Sequence, residues 1–301
     1  MKLVGLLGSK PILNLMAIRE LEPEEVLFIG SKDTHAIGEH LQSLVSRQAK
    51  VYQSELFDPY DAPYIIKAIN KKLNKLGWQP EDTIFDLSGG SKIMFYAATE
   101  LAKAHESPAL DIERIGHRYR IRQWEFQGHQ LIRTRDEFLP DLITIADYLR
   151  CYLPGFRADG FSRDVGGRVD IGGRFEQTVY ETLVKHVDEV MAGVRPQGVS
   201  EQIEIDLVVR HGNNVGIIEA KTGVKKAGID QLDTAGNPHY LGDFLVKLLV
   251  TGRFLPRAHK SLATAQEIRV IELPGYSDHS GLPGREKRIL VERVRQALTG
   301  R

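Results

Sequence analysis

Short β-rich runs alternate with helical stretches from the first residues to about residue 115, and this alternation constrains the fold more than any other feature of the sequence. The runs are Lys2 to Leu7, Val26 to Ile29, Lys50 to Gln53, Thr83 to Leu87 and Ala109 to Ile115, with room for a helix between each pair. The first helix opens at Pro11, a residue favoured at a helix start, and buries Ile12, Leu15, Ala17 and Ile18. Such βαβα order predicts a mostly parallel, doubly wound sheet, whose ligands gather at the carboxyl ends of the strands beside helix N-termini.

Beyond this point the pattern changes. His117 to Phe126 and His129 to Thr134 read as two strands joined at Gln127-Gly128, a hairpin extension. Arg118, Arg120 and Arg122 share one face of it, which reads as charged protection of an exposed edge or, alternatively, as a phosphate stripe. A helix from about Leu139 to Leu153 leads into Pro154 to Gly173, rich in glycine (Gly155, Gly160, Gly166, Gly167) and expected to be a mobile interdomain connection. There follow a helix from Arg174 to Asp188, strands at Ile203 to Arg210 and Val215 to Ala220, and a helix near Lys225 to Leu232. Strands at Phe244 to Thr251 and Glu267 to Leu273 and a helix from Arg285 complete a mixed second sheet. A length of 301 residues suits two domains, divided as 1–138, a linker over 139–170, and 171–301. No internal repeat suggests a solenoid.

Lys+Arg 40 against Asp+Glu 40 excludes a protein that coats nucleic acid by bulk charge and leaves only local basic patches. The single cysteine, Cys151, excludes an intrachain disulfide and a cysteine-based zinc site, and it points to a reducing, cytoplasmic location. No apolar run approaches the roughly 18 residues of a membrane span, because Lys247 breaks the longest one, Phe244 to Val250. Gly8-Ser9-Lys10 ends the first apolar run too early for a signal peptide. None of the histidines forms a close metal-ligand set, so His35 and His40 read as surface or packing residues.

Three strands of the first half end in the same tripeptide: Gly8-Ser9-Lys10, Gly30-Ser31-Lys32 and Gly90-Ser91-Lys92. Glycine lets backbone N–H groups approach a ligand, serine and the following helix N-terminus add donors, and lysine adds charge, a combination that suits an anion such as phosphate. The alternative is that βα turns favour Gly and Ser for their geometry alone. Ile93 stands where a Walker loop needs Ser or Thr, and no GxGxxG is present, so ATP hydrolysis and dinucleotide redox chemistry lose weight. Leu87-Ser88-Gly89-Gly90-Ser91-Lys92 with Met94 and Ala97, together with Pro11-Ile12-Leu13-Asn14-Leu15, resembles the two signatures of CARF domains, the Rossmann-like cyclic-oligoadenylate sensors of type III CRISPR systems. Ser91 replaces the family's usual Thr and keeps the hydroxyl. The resemblance implies ligand contacts from Ser9, Lys10, Asn14, Ser31, Lys32, Gly89, Gly90, Ser91 and Lys92.

The second half carries a denser signal. Glu204 to Arg210, the turn His211-Gly212-Asn213-Asn214, and Val215 to Lys221 fold as a hairpin centred on Gly212-Asn213, which sets Asp206 opposite Glu219 and Glu204 opposite Lys221. Ile205, Leu207, Val209, Ile218 and Ala220 form the other, apolar face. Opposed carboxylates about 5 Å apart repel by roughly 3 kcal/mol at an effective dielectric near 20. A divalent cation reverses that sign, and Mg²⁺ or Mn²⁺ prefers oxygen ligands: Asp206, Glu219 and a backbone carbonyl such as that of Ala220. Lys221, on the same face, can orient water or neutralise phosphate. The alternative is a solvated strand face on which Glu204 and Lys221 simply pair.

Asp206, Glu219 and Lys221 at strand positions, preceded by a helix carrying Glu176, resemble the PD-(D/E)xK nuclease superfamily. Gly172-Gly173-Arg174-Phe175-Glu176 with Tyr180 is similar to the start of the nuclease domain in CARF-linked members. There the helical Glu assists metal binding, the role implied for Glu176. Gln231 matches a polar position of related nucleases only loosely, and Lys225 and Lys226 are candidates for contact with a substrate backbone or simply solubilising charges. The joint resemblance implies an α/β chain with an N-terminal Rossmann-like CARF domain and a C-terminal restriction-endonuclease-like domain. Its expected activity is metal-dependent cleavage of DNA or RNA in antiviral defence, switched on by a cyclic oligoadenylate, expected to be cyclic tetraadenylate, in a homodimer. Two rivals remain: a non-cleaving regulator with the same sensor, and a phosphodiesterase whose sensor half degrades the cyclic ligand.

Overall fold

A computed structural model describes the chain except for Phe57, His129, residues 199–202, Val224, Lys225 and Arg301, together with the side chain of His239. The chain divides into two compact units, Met1–Ile143 with Arg150–Tyr152, and Thr144–Leu149 with Leu153–Arg301.

In the first unit the elements run β1 (Lys2–Leu6), α1 (Pro11–Leu21), β2 (Glu25–Ser31), α2 (His35–Val45), β3 (Lys50–Leu56), α3 (Ala62–Leu76), β4 (Thr83–Asp86), α4 (Lys92–Ala104), β5 (Ala109–Ile115), β6 (Arg118–Gln127) and β7 (Gln130–Phe138). Among the described residues these strands form one seven-stranded sheet ordered β3-β2-β1-β4-β5-β6-β7. The first five pair in parallel, and β6 and β7 add an antiparallel hairpin. The chain winds outward from β1 in one direction and resumes at β4 in the other, so the switch point lies between β1 and β4. Val4, Leu6, Leu27, Ile29 and Phe85 pack with Ile65, Ile69 and Leu73 of α3 and Met94, Ala97 and Leu101 of α4 into a core.

Helix starts follow local chemistry. Pro11 opens α1, Asp61 caps α3 by accepting from Tyr64 N at 3.0 Å, and Ser91 caps α4 by accepting from Met94 N at 3.2 Å. The arginines of β6 do not guard an edge, because β6 lies between two partners. Arg120 pairs with Asp136 of β7, Arg122 reaches Glu113 of β5 at 2.8 Å, and Arg118 stacks over Phe138 at 3.7 Å. The hairpin turn falls at Gln127-Gly128 as expected, with His129 outside the described residues, and β7 runs on to Phe138.

The helix expected over Leu139 to Leu153 is shorter, α5 (Ile145–Tyr152), because Thr144 caps it through a reciprocal pair of hydrogen bonds with Asp147. In the second unit, β8 (Gly155–Ala158), α6 (Ile171–Leu183), β9 (Glu189–Gln197), β10 (Ile205–His211) and β11 (Asn214–Lys221) follow. Then come α7 (Ala227–Ala235), α8 (Pro238–Leu241), β12 (Val246–Thr251), α9 (Arg257–Ala265), β13 (Ile268–Glu272) and α10 (Gly284–Thr299). The sheet order is β13-β12-β11-β10-β9-β8, with β11, β12 and β13 parallel and the remaining pairs antiparallel. Phe175, Val179 and Leu183 of α6 and Leu290, Val294 and Leu298 of α10 bury one face against Leu207, Val209, Ile218, Ala220, Leu248 and Val250. The glycine-rich stretch expected as a linker belongs to this unit: β8 is its edge strand, and the loop after it is bonded to α6. The boundaries 1–138, 139–170 and 171–301 shift accordingly.

Candidate active site and anion site

The β10–β11 hairpin builds the first site. Its register is Leu207↔Ile218, Val208↔Ile217, Val209↔Gly216, as expected from the sequence, and one step further along the strands sets Asp206 against Glu219. Leu207, Val209, Ile218 and Ala220 enter the core, so alternation turns Asp206, Glu219 and Lys221 to the opposite face. There α7 closes over them: a Cβ on Gly228 would stand 3.3 Å from Lys221 Cγ and 3.5 Å from Glu219 Cγ.

Asp206 Oδ2 accepts from Ala220 N at 2.8 Å and faces Lys221 Nζ at 3.3 Å, and the same ammonium pairs directly with Glu219. Asp206, Glu219 and Glu176 are all buried. Burial pushes the Asp206 carboxyl above its ordinary range, with Lys221 opposing and Glu176 adding to the shift. Glu219 moves in the same direction, through burial first and the neighbouring Asp206 charge second. Burial alone would lower Lys221, but the two carboxylates overcome it and raise the group.

Lys221 pairs with Asp206 and Glu219, and Glu204 pairs elsewhere. It binds Arg195 of β9 at 2.9 Å, so the third carboxylate of the cluster is Glu176, whose charge acts on both Asp206 and Glu219. Glu176 is held on both oxygens by Ser162, which donates its backbone N–H to Oε2 at 3.0 Å and its hydroxyl to Oε1 at 2.8 Å. Ser162 lies in the stretch that reads from sequence as a mobile connection, and no motif marks it. Tyr180 packs edge-on to Phe161, with ring centroids 5.5 Å apart. Gln231 is exposed, Lys226 pairs with Asp230 at 3.8 Å, and Lys225 lies outside the described residues.

Among the described residues no group of three or more His, Cys, Asp or Glu is arranged to hold a metal ion. The donor chemistry nevertheless fits a hard cation: two buried carboxylates that repel each other already close on a positive charge, the Lys221 ammonium. Mg²⁺ or Mn²⁺ would take Asp206, Glu219 and the backbone carbonyl of Ala220.

The second site lies on the other sheet. Two of the Gly-Ser-Lys tripeptides follow β1 and β4 and the third closes β2, whose last residues are Gly30 and Ser31; the three strands are adjacent and parallel, so all three tripeptides stand at the same carboxyl edge. The first and third turns touch backbone to backbone across the switch point, a Cβ on Gly8 falling 2.7 Å from Gly90 N. Ser9, Lys32 and Lys92 are exposed, Lys10, Gly89, Gly90 and Ser91 half-buried, and Ser31 buried with its N–H given to Thr34 Oγ1 at 2.8 Å. The Ser91 hydroxyl is used twice, accepting from Met94 N and donating to Pro59 O at 3.2 Å.

Asn14 lies beneath this edge, buried, donating from Nδ2 to Asp86 Oδ2 at 2.7 Å and to Leu6 O at 3.2 Å. No sequence signal singles out Asp86. It ends β4, accepts from Ser88 N at 2.9 Å, and so ties the Gly89-Gly90 turn to α1 and β1. Burial pushes Asp86 up to about 6 from 3.8, against the lowering effect of the Ser88 and Asn14 donors. The folded state therefore keeps a proton that the unfolded chain loses, and this group's contribution to stability is present below about pH 4 and lost as pH rises through about 6. Asp86→Asn should flatten the pH dependence of urea-unfolding stability between about pH 4 and 6.5, while its amide nitrogen, which cannot accept as the second carboxylate oxygen does, lowers stability overall. An unchanged slope would refute this account of Asp86.

Fold and sites together define a two-unit α/β chain, a doubly wound, Rossmann-like sheet followed by a second, mixed sheet that carries the buried carboxylates. Three solved structures share that architecture. Can2 from Sulfobacillus thermosulfidooxidans, solved with cyclic tetra-adenylate, superimposes with a TM-score of 0.75 at 16% identity over 99% of each chain. Protein VC1899 from Vibrio cholerae does so with a TM-score of 0.75 at 16% identity, over 98% of this chain and 97% of its own. A type III CRISPR defence DNA nuclease activated by cyclic oligoadenylate gives a TM-score of 0.67 at 15% identity, over 99% of this chain and 51% of that one. At these identities the likeness establishes the fold. No protein-family model matches the chain, and no curated protein matches it in sequence.

Proposed function

We propose that the chain is a divalent-metal-dependent PD-(D/E)xK nuclease that cuts DNA or RNA when its N-terminal sheet binds a cyclic oligoadenylate, as part of type III CRISPR antiviral defence. The observation that carries the reading is the buried Asp206–Glu219–Lys221 cluster with Glu176 beside it, on a chain whose other sheet presents three lysine-bearing turns at one edge. Full-length likeness to Can2, solved with cyclic tetra-adenylate, supports that ligand, and likeness to a DNA nuclease activated by cyclic oligoadenylate supports the coupling.

In this reading Asp206, Glu219 and the Ala220 carbonyl would hold Mg²⁺ or Mn²⁺, and Glu176, fixed by Ser162, would assist them. The bound cation would polarise a phosphate and make its water more acidic. Lys221, which pairs with both carboxylates, would orient the attacking water or offset charge on the phosphate. At the other sheet, Ser9, Lys10, Ser31, Lys32, Gly89, Gly90, Ser91 and Lys92 line the anion edge, and Asn14 supports it from below through Asp86. A cyclic ligand of even repeat suits a homodimer, each copy presenting the same turns to half of the ring. No helix among the described residues is long and apolar enough to cross a membrane.

The test is cleavage of several single- and double-stranded nucleic acids, with Mn²⁺ or EDTA, with and without cyclic tetraadenylate. Cutting that needs both metal and ligand is the expected result. Cutting indifferent to EDTA overturns the metal role, and cutting indifferent to every cyclic oligoadenylate overturns the sensor role. Loss of the ligand without metal would instead favour ligand degradation, and ligand binding with no cleavage at all a pure regulator. Lys92→Ala should weaken cyclic tetraadenylate binding by roughly tenfold or more, shifting activation to higher ligand concentration with activity partly recovered at saturation. A titration that matches the parent would remove Lys92 from the ligand site.

A further inference from the structure

We infer that Tyr60 is a stacking platform for a nucleobase of the ligand held at the Ser91-Lys92 turn, an inference that rests on the sensor assignment above. Tyr60 is 73% exposed. A single exposed aromatic needs no explanation in itself, but the placement of this one does. It follows Pro59, whose carbonyl accepts the Ser91 hydroxyl at 3.2 Å, so it stands one residue from a direct bond to the turn.

Its loop is held at three points: Tyr60 N donates to Asp58 Oδ1 at 2.9 Å, Asp61 caps α3 through Tyr64 N at 3.0 Å, and Ser91 grips Pro59. An exposed ring is thus carried on a loop tied through Pro59 to Ser91, the residue that caps α4 and precedes Lys92. Phosphate meets Lys92 and backbone N–H groups there, and a base attached to that phosphate needs a flat apolar surface nearby. Tyr supplies such a surface at low conformational cost, and stacking tolerates any base because every base has a π face. This arrangement also gives Ser91 a different task. With both sides of its hydroxyl engaged, it sets the position of the Tyr60 loop and leaves the phosphate to Lys92 and the backbone.

The experiment is calorimetric titration of cyclic tetraadenylate into the full chain, comparing the parent with Tyr60→Ala, Tyr60→Trp, Ser91→Ala and the Tyr60→Ala/Ser91→Ala pair, with sedimentation and thermal melts on each. Tyr60→Ala should bind roughly tenfold or more weakly with an unchanged melt, as loss of one base stack predicts. Tyr60→Trp should bind at least as well as the parent, with its indole fluorescence quenched by ligand. Ser91→Ala should bind more weakly as well, and the pair should lose less than the two single losses added, because both variants act through one platform. If the parent binds and Tyr60→Ala binds within about twofold of it, the stacking role is wrong and the sensor assignment stands. If the parent does not bind, the sensor assignment fails and this inference fails with it. If Tyr60→Ala binds weakly because sedimentation shows the copies parting, Tyr60 is an interface contact and the stacking role is again overturned.

Discussion

Asp206→Asn or Glu219→Gln should lower nucleic-acid cleavage by about a thousandfold, equivalent to roughly 4 kcal/mol of lost transition-state stabilisation, and EDTA should do the same to the parent. The thermal midpoint should move the other way or stay put. Both carboxyls are raised by burial first, Asp206 further by the Glu176 charge and Glu219 by the Asp206 and Glu176 charges, so a neutral isostere relieves a penalty that the folded state carries near neutral pH. In Asp206→Asn the side-chain amide oxygen would still accept from Ala220 N, preserving the local hydrogen bond seen at 2.8 Å. Activity lost with stability kept or gained is the signature of groups retained for chemistry at the expense of the fold. A variant that cuts as fast as the parent removes Asp206 or Glu219 from the reaction, and one that unfolds shows the pair to be structural.

Gly89→Ala is expected to cause the largest loss of stability of any single methyl addition at the anion edge. A Cβ at this position would lie 2.0 Å from the carbonyl oxygen of Leu6, closer than any contact a folded chain tolerates, and 3.3 Å from Asn14 Oδ1. The obstacle is backbone of the central strand β1, which cannot swing aside as a side chain would. Urea unfolding should show a loss of roughly 3 kcal/mol or more, and cyclic tetraadenylate binding should fall with it because the third turn must shift off the first. A stability change within about 0.5 kcal/mol of the parent would mean that β1 and the β4–α4 turn do not meet in this way.

That close approach has no counterpart in the motif. Gly89 and Gly90 read from sequence as glycines that admit a ligand, and the geometry shows that Gly89 is first required for turn-to-strand packing. Asn14 reads as a ligand contact by resemblance, yet its amide is committed to Asp86, 72 residues away in the chain. Ser91 reads as a phosphate donor and is an N-cap that also grips Pro59.

Misses among the elements have similar causes. The strand β9 escapes notice because Gly193 and Pro196 interrupt its pattern. Gly193 has φ +63°, a kink that the sheet absorbs between Ala192 and Val194, and Pro196 sits opposite Phe156 of edge strand β8. The glycines of residues 155–167 suggest flexibility, while β-pairing to β9 and the Ser162–Glu176 bonds build that stretch into the second unit.

By itself the sequence determined what depends on short-range order: the βα alternation, the starts of α1 and α4, the β10–β11 hairpin with its register, and therefore the meeting of Asp206, Glu219 and Lys221 on one face. Periodicity, turn chemistry and strand alternation act over a few residues and leave a legible trace. Tertiary structure alone decided which charged and polar side chains meet. Glu204 went to Arg195 on the neighbouring strand, Glu176 took its place beside the pair, and Asp86 found Asn14. Buried polar groups must satisfy each other wherever the chain brings them together, and that pairing follows the packing of distant strands and helices, which no local pattern records.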